Sequence, residues 1–523
     1  MGKEFPRNFR SCPSIASQGW ILSLAGLLLL AVALWDLKAP PVWWDEGWTL
    51  WVARNWVEKG HYGRYLAGAP APPGLEAAFP VTGLVGLSFH LFGVGIAQGR
   101  LVGVLALAGA LGFMYFLARC LYRPSIAMAT LAVLIGMIPH PFIHPLAMGR
   151  QALAEMPMMF YLLAGYAFFL LAMRKSTGFL LLAMIFWGIT LQTKAQVLPF
   201  LFLSLLSGLL WEISHRKGRR IALYGAALLG SYASIHWFPW LKQALFPDLP
   251  HPAEPVKGLY EVTALVTGEM NRRFALELSL KYGLPMALGL VWTAVTFFRQ
   301  ERKGLFLRDL ASLRLALLVL SGSWFAWYLL LSVGWIRYLF PAAFVGSLFG
   351  AVLLHDWMGH FDWGAMKENF SEFPRLGKLR RATALSLLAF ILVVIHLPRT
   401  GYALYRHFSE IPGRATEALH ETVHFLNTQT PFQALIETYE SEIMFLLDRP
   451  VHYPPDQVHV ELNRRTFLAQ NVTIAYDPLA ANPDYLVIGS QASLWRLYGP
   501  VLMKGAFRPW RNFGYYQVWE RIR

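Results

Sequence analysis

Cysteine is nearly missing from this chain: Cys12 and Cys120 are the two among 523 residues. Both fall on the basic, inner side of the apolar runs described below, so no disulfide framework is implied. Charge is sparse as well, at 15% of residues against 56% hydrophobic. With a mean hydropathy of +0.41, that is too apolar for a soluble protein of this length and fits a polytopic membrane protein. Acids are scarcer than bases, 31 against 46, for a net charge of +15. In a soluble chain this excess would suggest nucleic acid. Here the tendency of cytoplasmic loops to collect Lys and Arg accounts for it, and no nucleic-acid partner is expected. Solenoid repeats and low-complexity tracts are lacking. The run that follows Lys3, Arg7 and Arg10 has no small-residue cleavage site where it closes at Trp35-Asp36, so it reads as an uncleaved first span.

Long apolar runs are what the chain does have, and the basic residues between them give a direction. Spans are expected at Trp20–Trp35, Leu101–Leu117, Ile126–Ile138, from Pro157 to Arg174, and at Phe179–Leu191. A sixth returns to the His215–Arg220 cluster and a seventh leaves near Trp240. The rest are Pro285–Phe298, Leu315–Leu331, Tyr338–Leu354 and Ala382–Leu397. This makes about eleven transmembrane helices, with the N-terminus cytoplasmic and each strongly basic loop on one side. The stretch Phe79–Gln98 is apolar, yet its glycines and missing basic flank argue for helices lying at the outer interface. After Pro398 the composition changes and no segment can span. Ala434-Leu435-Ile436 and Tyr485–Ile488 read as strands, and Thr416–Leu426 as an amphipathic helix. The expected fold is therefore an α-helical polytopic membrane body, residues 1–398, followed by a small extracytoplasmic α/β domain, residues 399–523.

The first outer loop, at about residues 36–100 by span length, opens with Trp43-Trp44-Asp45-Glu46-Gly47-Trp48. Trp44, Trp48, Trp51, Val52 and Trp56 recur at helical spacing, which suggests an amphipathic helix lying in the headgroup layer. Two carboxylates beside a bilayer are costly unless they meet solvent, a cation or a reaction. Asp45 reads either as the N-cap of that helix or as an acid facing a cavity. Adjacent helical residues point about 100° apart, so Glu46 is expected to do a different job.

Further along, Glu155 stands at the mouth of the fourth span, where it reads either as a helix N-terminal acid or as a group facing the protein interior. Arg150 precedes it in the same outer turn. His140 and His144 are candidates, with Glu46, for holding a divalent metal ion, although the prolines around them disfavour a helical pair site. Lys194 and Arg337 close the constellation. Both are cations at outer span ends, suited either to snorkelling or to holding a phosphate. Acids can take a proton from an acceptor hydroxyl, and cations can stabilise a departing phosphate. The combination fits a lipid-linked sugar donor.

On these features the chain resembles the GT-C class of integral-membrane glycosyltransferases, in the bacterial branch related to protein O-mannosyltransferases and the lipid A aminoarabinose transferase. The resemblance rests on Asp45-Glu46 after the first span, Pro72-Pro73, His90–Val94 and Gln98-Gly99-Arg100-Leu101. It continues through Gly149-Arg150 with Glu155, Thr193-Lys194, Arg337-Tyr338 and, late in the chain, Glu437-Thr438-Tyr439-Glu440. It implies an inverting transfer from a polyprenyl-phosphate sugar to a glycan, lipid or protein acceptor on the outer face of the cell membrane. It casts Asp45 as general base and Lys194 and Arg337 as donor-phosphate ligands. Many relatives carry Asp where Glu155 stands. Metal use varies among them, so a divalent cofactor stays open. A flippase of polyprenyl lipids would instead place acids mid-span and repeat one half of the chain in the other. A non-catalytic scaffold would leave the outer acids without a task.

Overall fold

The computed structural model describes residues 19–249, 256, 258–302, 310–362, 364, 366–367, 381–410 and 412–523. Cys12, the basic residues of the N-terminal tail and much of the basic 355–381 loop lie outside them. Each expected span coincides with a helix. They run Gly19–Leu34, Ile96–Leu121, Pro124–Gly136, Glu155–Arg174, Phe179–Thr193, Leu198–Ser214, Gly218–Leu245, Leu284–Arg302, Ala311–Leu331, Phe340–Trp357 and Arg381–Tyr405. Length and composition are more selective. Among the described residues, 6 helical segments are long and apolar enough to cross a membrane, and a 7th counts if the pair Glu269–Tyr282 and Leu284–Arg299, bent by 91°, is one span. Pro124–Gly136 and Phe179–Thr193 are shorter apolar helices.

Leu27, Leu28, Leu229, Ile391 and Val394 project outward from these helices, as side chains facing lipid do. The Ile336–Trp357 segment is buried throughout its 18-residue apolar window and forms the centre of the body. It lies close against Leu284–Arg302: a Cβ on Gly289 would come within 2.3 Å of the Gly350 backbone nitrogen. Only glycine permits that approach, as in other tightly packed membrane helices.

Two expectations change. Pro398 does not end the last span; the helix runs through it to Tyr405 and widens into a π-turn over Arg406–Glu410. A proline in a membrane helix is tolerated when neighbouring groups take up the freed carbonyl. The tryptophan helix, Trp44–Lys59, does not present its indoles to headgroups. Trp48 is wholly buried and Trp44 and Trp51 nearly so, because the C-terminal region covers them. Trp44 stacks on His459 and leans on Tyr439, while Trp48 and Trp51 meet Tyr453 edge-on. Arg54 donates to Asp448 and to the Phe445 carbonyl. A Cβ on Gly47 would fall 2.4 Å from the Glu442 nitrogen, so the glycine lets the helix Ser441–Leu446 lie directly on the tryptophan helix.

The remainder of the stretch between the first two spans holds a small antiparallel hairpin, β1 (Arg64–Leu66) and β2 (Ala69–Ala71), and the helix Phe79–Phe92. At 14 residues that helix spans about 21 Å at 1.5 Å per residue, short of the roughly 30 Å hydrocarbon core.

The C-terminal region begins with the helix Pro412–Gln429 and builds a mixed sheet. Its strands are β3 (Ile436–Thr438), β4 (Val451–His452), β5 (Tyr485–Ile488), β6 (Phe507–Phe513) and β7 (Tyr516–Arg521). The order is β4-β3-β5-β7-β6; β3 is parallel to β4 and β5, whereas β7 is antiparallel to β5 and β6. Ile436, Leu486, Val487 and Val518 are buried, and the alternation of β6 and β7 leaves one of their faces to solvent.

Candidate active site

The first turn of the tryptophan helix separates its two acids. The N-cap position is Trp43, and the Glu46 carboxylate accepts from the Trp43 backbone nitrogen at 3.2 Å. Capping therefore falls to Glu46, and Asp45 is not the N-cap. Glu46 is wholly buried and accepts Arg100 Nε at 2.8 Å, Arg100 Nη2 at 2.7 Å and the Ala152 nitrogen at 2.9 Å. Arg100 spends its other donors on the carbonyls of Leu37, Pro40 and Pro41. A forked, fully bonded pair of this kind fixes where the outer loop leaves the body. It corrects the expectation that Glu46 serves catalysis or a metal, since its lone pairs are already engaged.

Arg150 is likewise drawn into structure. Its Nη2 donates to the carbonyls of Trp35, Asp36 and Ala39 at 2.5, 2.6 and 2.9 Å, tying the chain after the first span to the second outer turn. Burial and the neighbouring Arg100 lower its guanidinium to about 10, still charged at neutral pH. It is not presented to a ligand as expected.

The two histidines cap their own turns. His140 Nδ1 accepts from the Phe142 nitrogen, and His144 Nδ1 from the Leu146 nitrogen, each at 3.2 Å. His144 Nε2 donates to the Ile135 carbonyl at 3.0 Å. Burial pulls both imidazoles down to about 4, helped at His140 by Lys281, so they are neutral. Among the described residues neither they nor Glu46 belong to a metal-sized group of His, Cys, Asp or Glu.

The remaining four residues converge. Arg337 Nη1 donates to Asp45 Oδ2, and Lys194 Nζ donates to Glu155 Oε1 at 2.7 Å. Tyr338 joins the pairs: its ring lies 5.6 Å from Lys194 Nζ and 5.8 Å from the Arg337 guanidinium. Glu155 feels the charges of both Lys194 and Arg337. Local backbone explains the placement. Lys194 is the C-cap of Phe179–Thr193 in an extended conformation, which turns its side chain away from the helix. Arg337 sits in a 3-10 turn, Ile336–Leu339, just before the central helix. Asp45 lies in the first turn of a helix clamped from above. Glu155 is 6% exposed, while Asp45 keeps 24% of its side chain open. The cluster thus holds two carboxylates and two cations, neutral in sum, with one carboxylate reachable from solvent.

A cavity of about 690 Å³ begins at Lys194 and Tyr338 and is bordered by Tyr62, Glu76, Gln192 and Lys242. Asp45, Glu155 and Arg337 are not on its wall. It shares Phe79, Pro80 and Phe238 with an apolar groove of about 600 Å³ that also runs past Leu84, Leu87 and Tyr161. Those last three continue into a further apolar groove of about 240 Å³. Lys242 was missed by sequence reasoning, although it closes the seventh apolar run much as Lys194 closes the fifth. Glu76, whose carboxyl burial pushes up, had no local signal beyond the Pro72-Pro73-Gly74 turn before it.

No protein-family model and no curated protein sequence matches the chain. Solved structures do. ArnT from Cupriavidus metallidurans bound to undecaprenyl phosphate superposes with a TM-score of 0.60 at 16% identity, covering 97% of this chain and 99% of that one. The Archaeoglobus fulgidus oligosaccharyltransferase in its apo form gives 0.53 at 13% identity, covering 90% of this chain and 70% of that one. The Archaeoglobus fulgidus AglB complex with an inhibitory peptide and a dolichol-phosphate gives 0.50 at 13%, covering 97% and 75%. Near-complete mutual coverage with ArnT includes the C-terminal sheet region as well as the helical body, and the chain has the fold of the GT-C integral-membrane glycosyltransferases.

Proposed function

We propose that the protein is an inverting glycosyltransferase that moves a sugar from a polyprenyl-phosphate donor to an acceptor hydroxyl at the outer face of the membrane. The observation that carries this reading is that two cation–carboxylate pairs, Arg337–Asp45 and Lys194–Glu155, meet at Lys194 a cavity that also presents Lys242 and Glu76 and shares wall residues with an apolar groove. A polyprenyl phosphate has that same order of parts: an anionic head and a long hydrocarbon tail. The undecaprenyl phosphate held by Cupriavidus ArnT and the dolichol-phosphate in the Archaeoglobus complex support such a donor.

Without donor, each cation is satisfied by a carboxylate. A phosphate entering beside Lys194 competes for it and for Arg337, and thereby frees Asp45. The freed carboxylate takes the proton of an acceptor hydroxyl. The hydroxyl oxygen forms its bond to the sugar's anomeric carbon as the bond from that carbon to the phosphate oxygen breaks. The leaving lipid phosphate keeps the electron pair, and Lys194 and Arg337 stabilise its charge. Asp45 is open to solvent without lining the donor cavity, which suits attack and departure on opposite faces, and so inversion. Glu155 positions Lys194.

The test is transfer in nanodiscs from a panel of radiolabelled polyprenyl-phosphate sugars, wild type beside Asp45→Asn. Consumption of a donor by the wild type, reduced about 10²–10⁴-fold in a folded variant, is expected for loss of a general base. Equal rates would remove Asp45 from the mechanism. Binding of lipid with no consumption of any donor, across acceptors of all three classes, would favour a lipid carrier instead.

A further inference from the structure

The far end of the central helix carries a second cluster that takes no part in the reaction above. His355 and Asp356 lie in the last turn of Phe340–Trp357. The chain then folds back through the short turn Gly359–Phe361, where His360 adopts a left-handed backbone at φ 63°, ψ 25°. That turn brings the two imidazoles together, with ring centroids 4.8 Å apart. One ligand atom from each of His355, Asp356 and His360 lies within 4.8 Å of the others.

The spacings decide what the cluster suits. His355 Nδ1 is 3.4 Å from His360 Nδ1 and 3.3 Å from Asp356 Oδ1. Both exceed the 2.7–3.2 Å range of ordinary N–H···O hydrogen bonds. A single ring nitrogen also cannot bond linearly to two partners at once. Tetrahedral zinc, with bonds of about 2.0–2.1 Å to nitrogen and oxygen, sets its ligand atoms roughly 3.3–3.4 Å apart. The two separations from His355 Nδ1 match edges of that polyhedron, and the third pair of ligand atoms lies within 4.8 Å.

The surroundings point the same way. Trp292 Nε1 donates to Asp356 Oδ2 at 3.0 Å. This orients the carboxylate, whose Oδ1 lies 3.3 Å from His355 Nδ1, as outer-shell donors do at metal centres. The carbonyl end of the helix adds partial negative charge. His355 is buried while His360 is exposed, so a cation can reach the cluster from solvent.

We infer that His355, Asp356 and His360 form a binding site for a divalent cation of the zinc class. It lies 18 residues along the helix from Arg337, about 27 Å at 1.5 Å per residue. It is therefore separate from the donor cavity, and its role is to fasten the end of the central helix to the turn that follows and, through Trp292, to the neighbouring helix.

The experiment uses the full-length protein in detergent, stripped with chelator and titrated with cobalt(II). Tetrahedral cobalt gives visible d–d bands that zinc displaces. Wild type is expected to take up about one equivalent with those bands, and Asp45→Asn should keep them. His360→Asn should abolish the bands and weaken binding at least about tenfold; asparagine tolerates the left-handed backbone at that position. His360→Cys should gain a sulfur-to-cobalt charge-transfer band lacking in wild type, a signal that misfolding cannot create. A featureless wild-type titration, bands unchanged in His360→Asn, or no new band in a cobalt-binding His360→Cys would each overturn the assignment.

Discussion

Acids and bases that look alike in the sequence part company in the structure according to how many of their bonds are already made. Glu46 has four donors and no exposure; Asp45, its neighbour, has one cation and an open side. Substitution should separate them. Glu46→Gln leaves Arg100 buried against an uncharged partner and is expected to cost about 3–5 kcal/mol of stability. Thermal unfolding should reveal this, while the turnover of the folded fraction stays near that of the wild type. Lys194→Met is expected to lose about 10²–10³-fold in transfer rate, the scale set by removing one transition-state donor. Rates are to be compared per folded molecule, because Glu155 also loses its partner at 6% exposure and melting falls with it. Lys194→Arg should recover part of the loss, because it restores the charge with different geometry.

At the scale of elements, the meeting of the tryptophan helix with Ser441–Leu446 is the interface that holds Asp45 in place, and it carries two buried carboxyls. Glu440 accepts from the nitrogens of Gly489, Gln491 and Ala492, at 3.1, 3.2 and 2.8 Å, and Glu442 accepts from the Tyr516 hydroxyl at 2.8 Å. Burial raises both above the ordinary carboxylate range, and the charge of Glu440 raises Glu442 further. The folded state therefore holds protons that the unfolded chain releases. Stability should fall as pH climbs from the ordinary carboxylate range through neutrality. Melting temperatures across that range should show the slope, and Glu442→Gln should flatten it.

This interface also marks where the sequence stopped being legible. The apolar runs located the helices of the body, though not all of their ends, since burial in lipid needs a continuous pattern that can be read locally. The convergence of Asp45, Glu155, Lys194 and Arg337 was legible because ionisable groups at the ends of the apolar runs are few. The partner of the tryptophan face was not legible. Indoles at helical spacing suit a headgroup layer and a protein neighbour equally well, and Tyr439, Tyr453 and His459 lie some four hundred positions away. The engagement of Glu46 and Arg150 was hidden for the same reason: Arg100 and the carbonyls after the first span are brought to them only by the fold.

Across the whole molecule, the cavity at Lys194 and the two apolar grooves form a continuous path through shared wall residues. Leu87 borders both apolar grooves. Leu87→Trp should obstruct the path, raising KM about tenfold for a long-chain donor, a change of about 1.4 kcal/mol. A donor too short to reach it should keep its KM, as seen by comparing initial rates for the two chain lengths.

The clamp on the tryptophan helix has a consequence for how the protein comes into being. The indole nitrogen of Trp44 bonds to the Tyr439 carbonyl across 395 positions of chain. At roughly 5–20 residues per second, translation needs about 20–80 s to bridge that gap. Through that interval the helix bearing Asp45 has been made but lacks its roof. The nascent chain thus carries its candidate site unassembled until the C-terminal region has been made. Competence arrives late and all at once, and a chain cut short before the sheet is complete would be silent rather than merely slow.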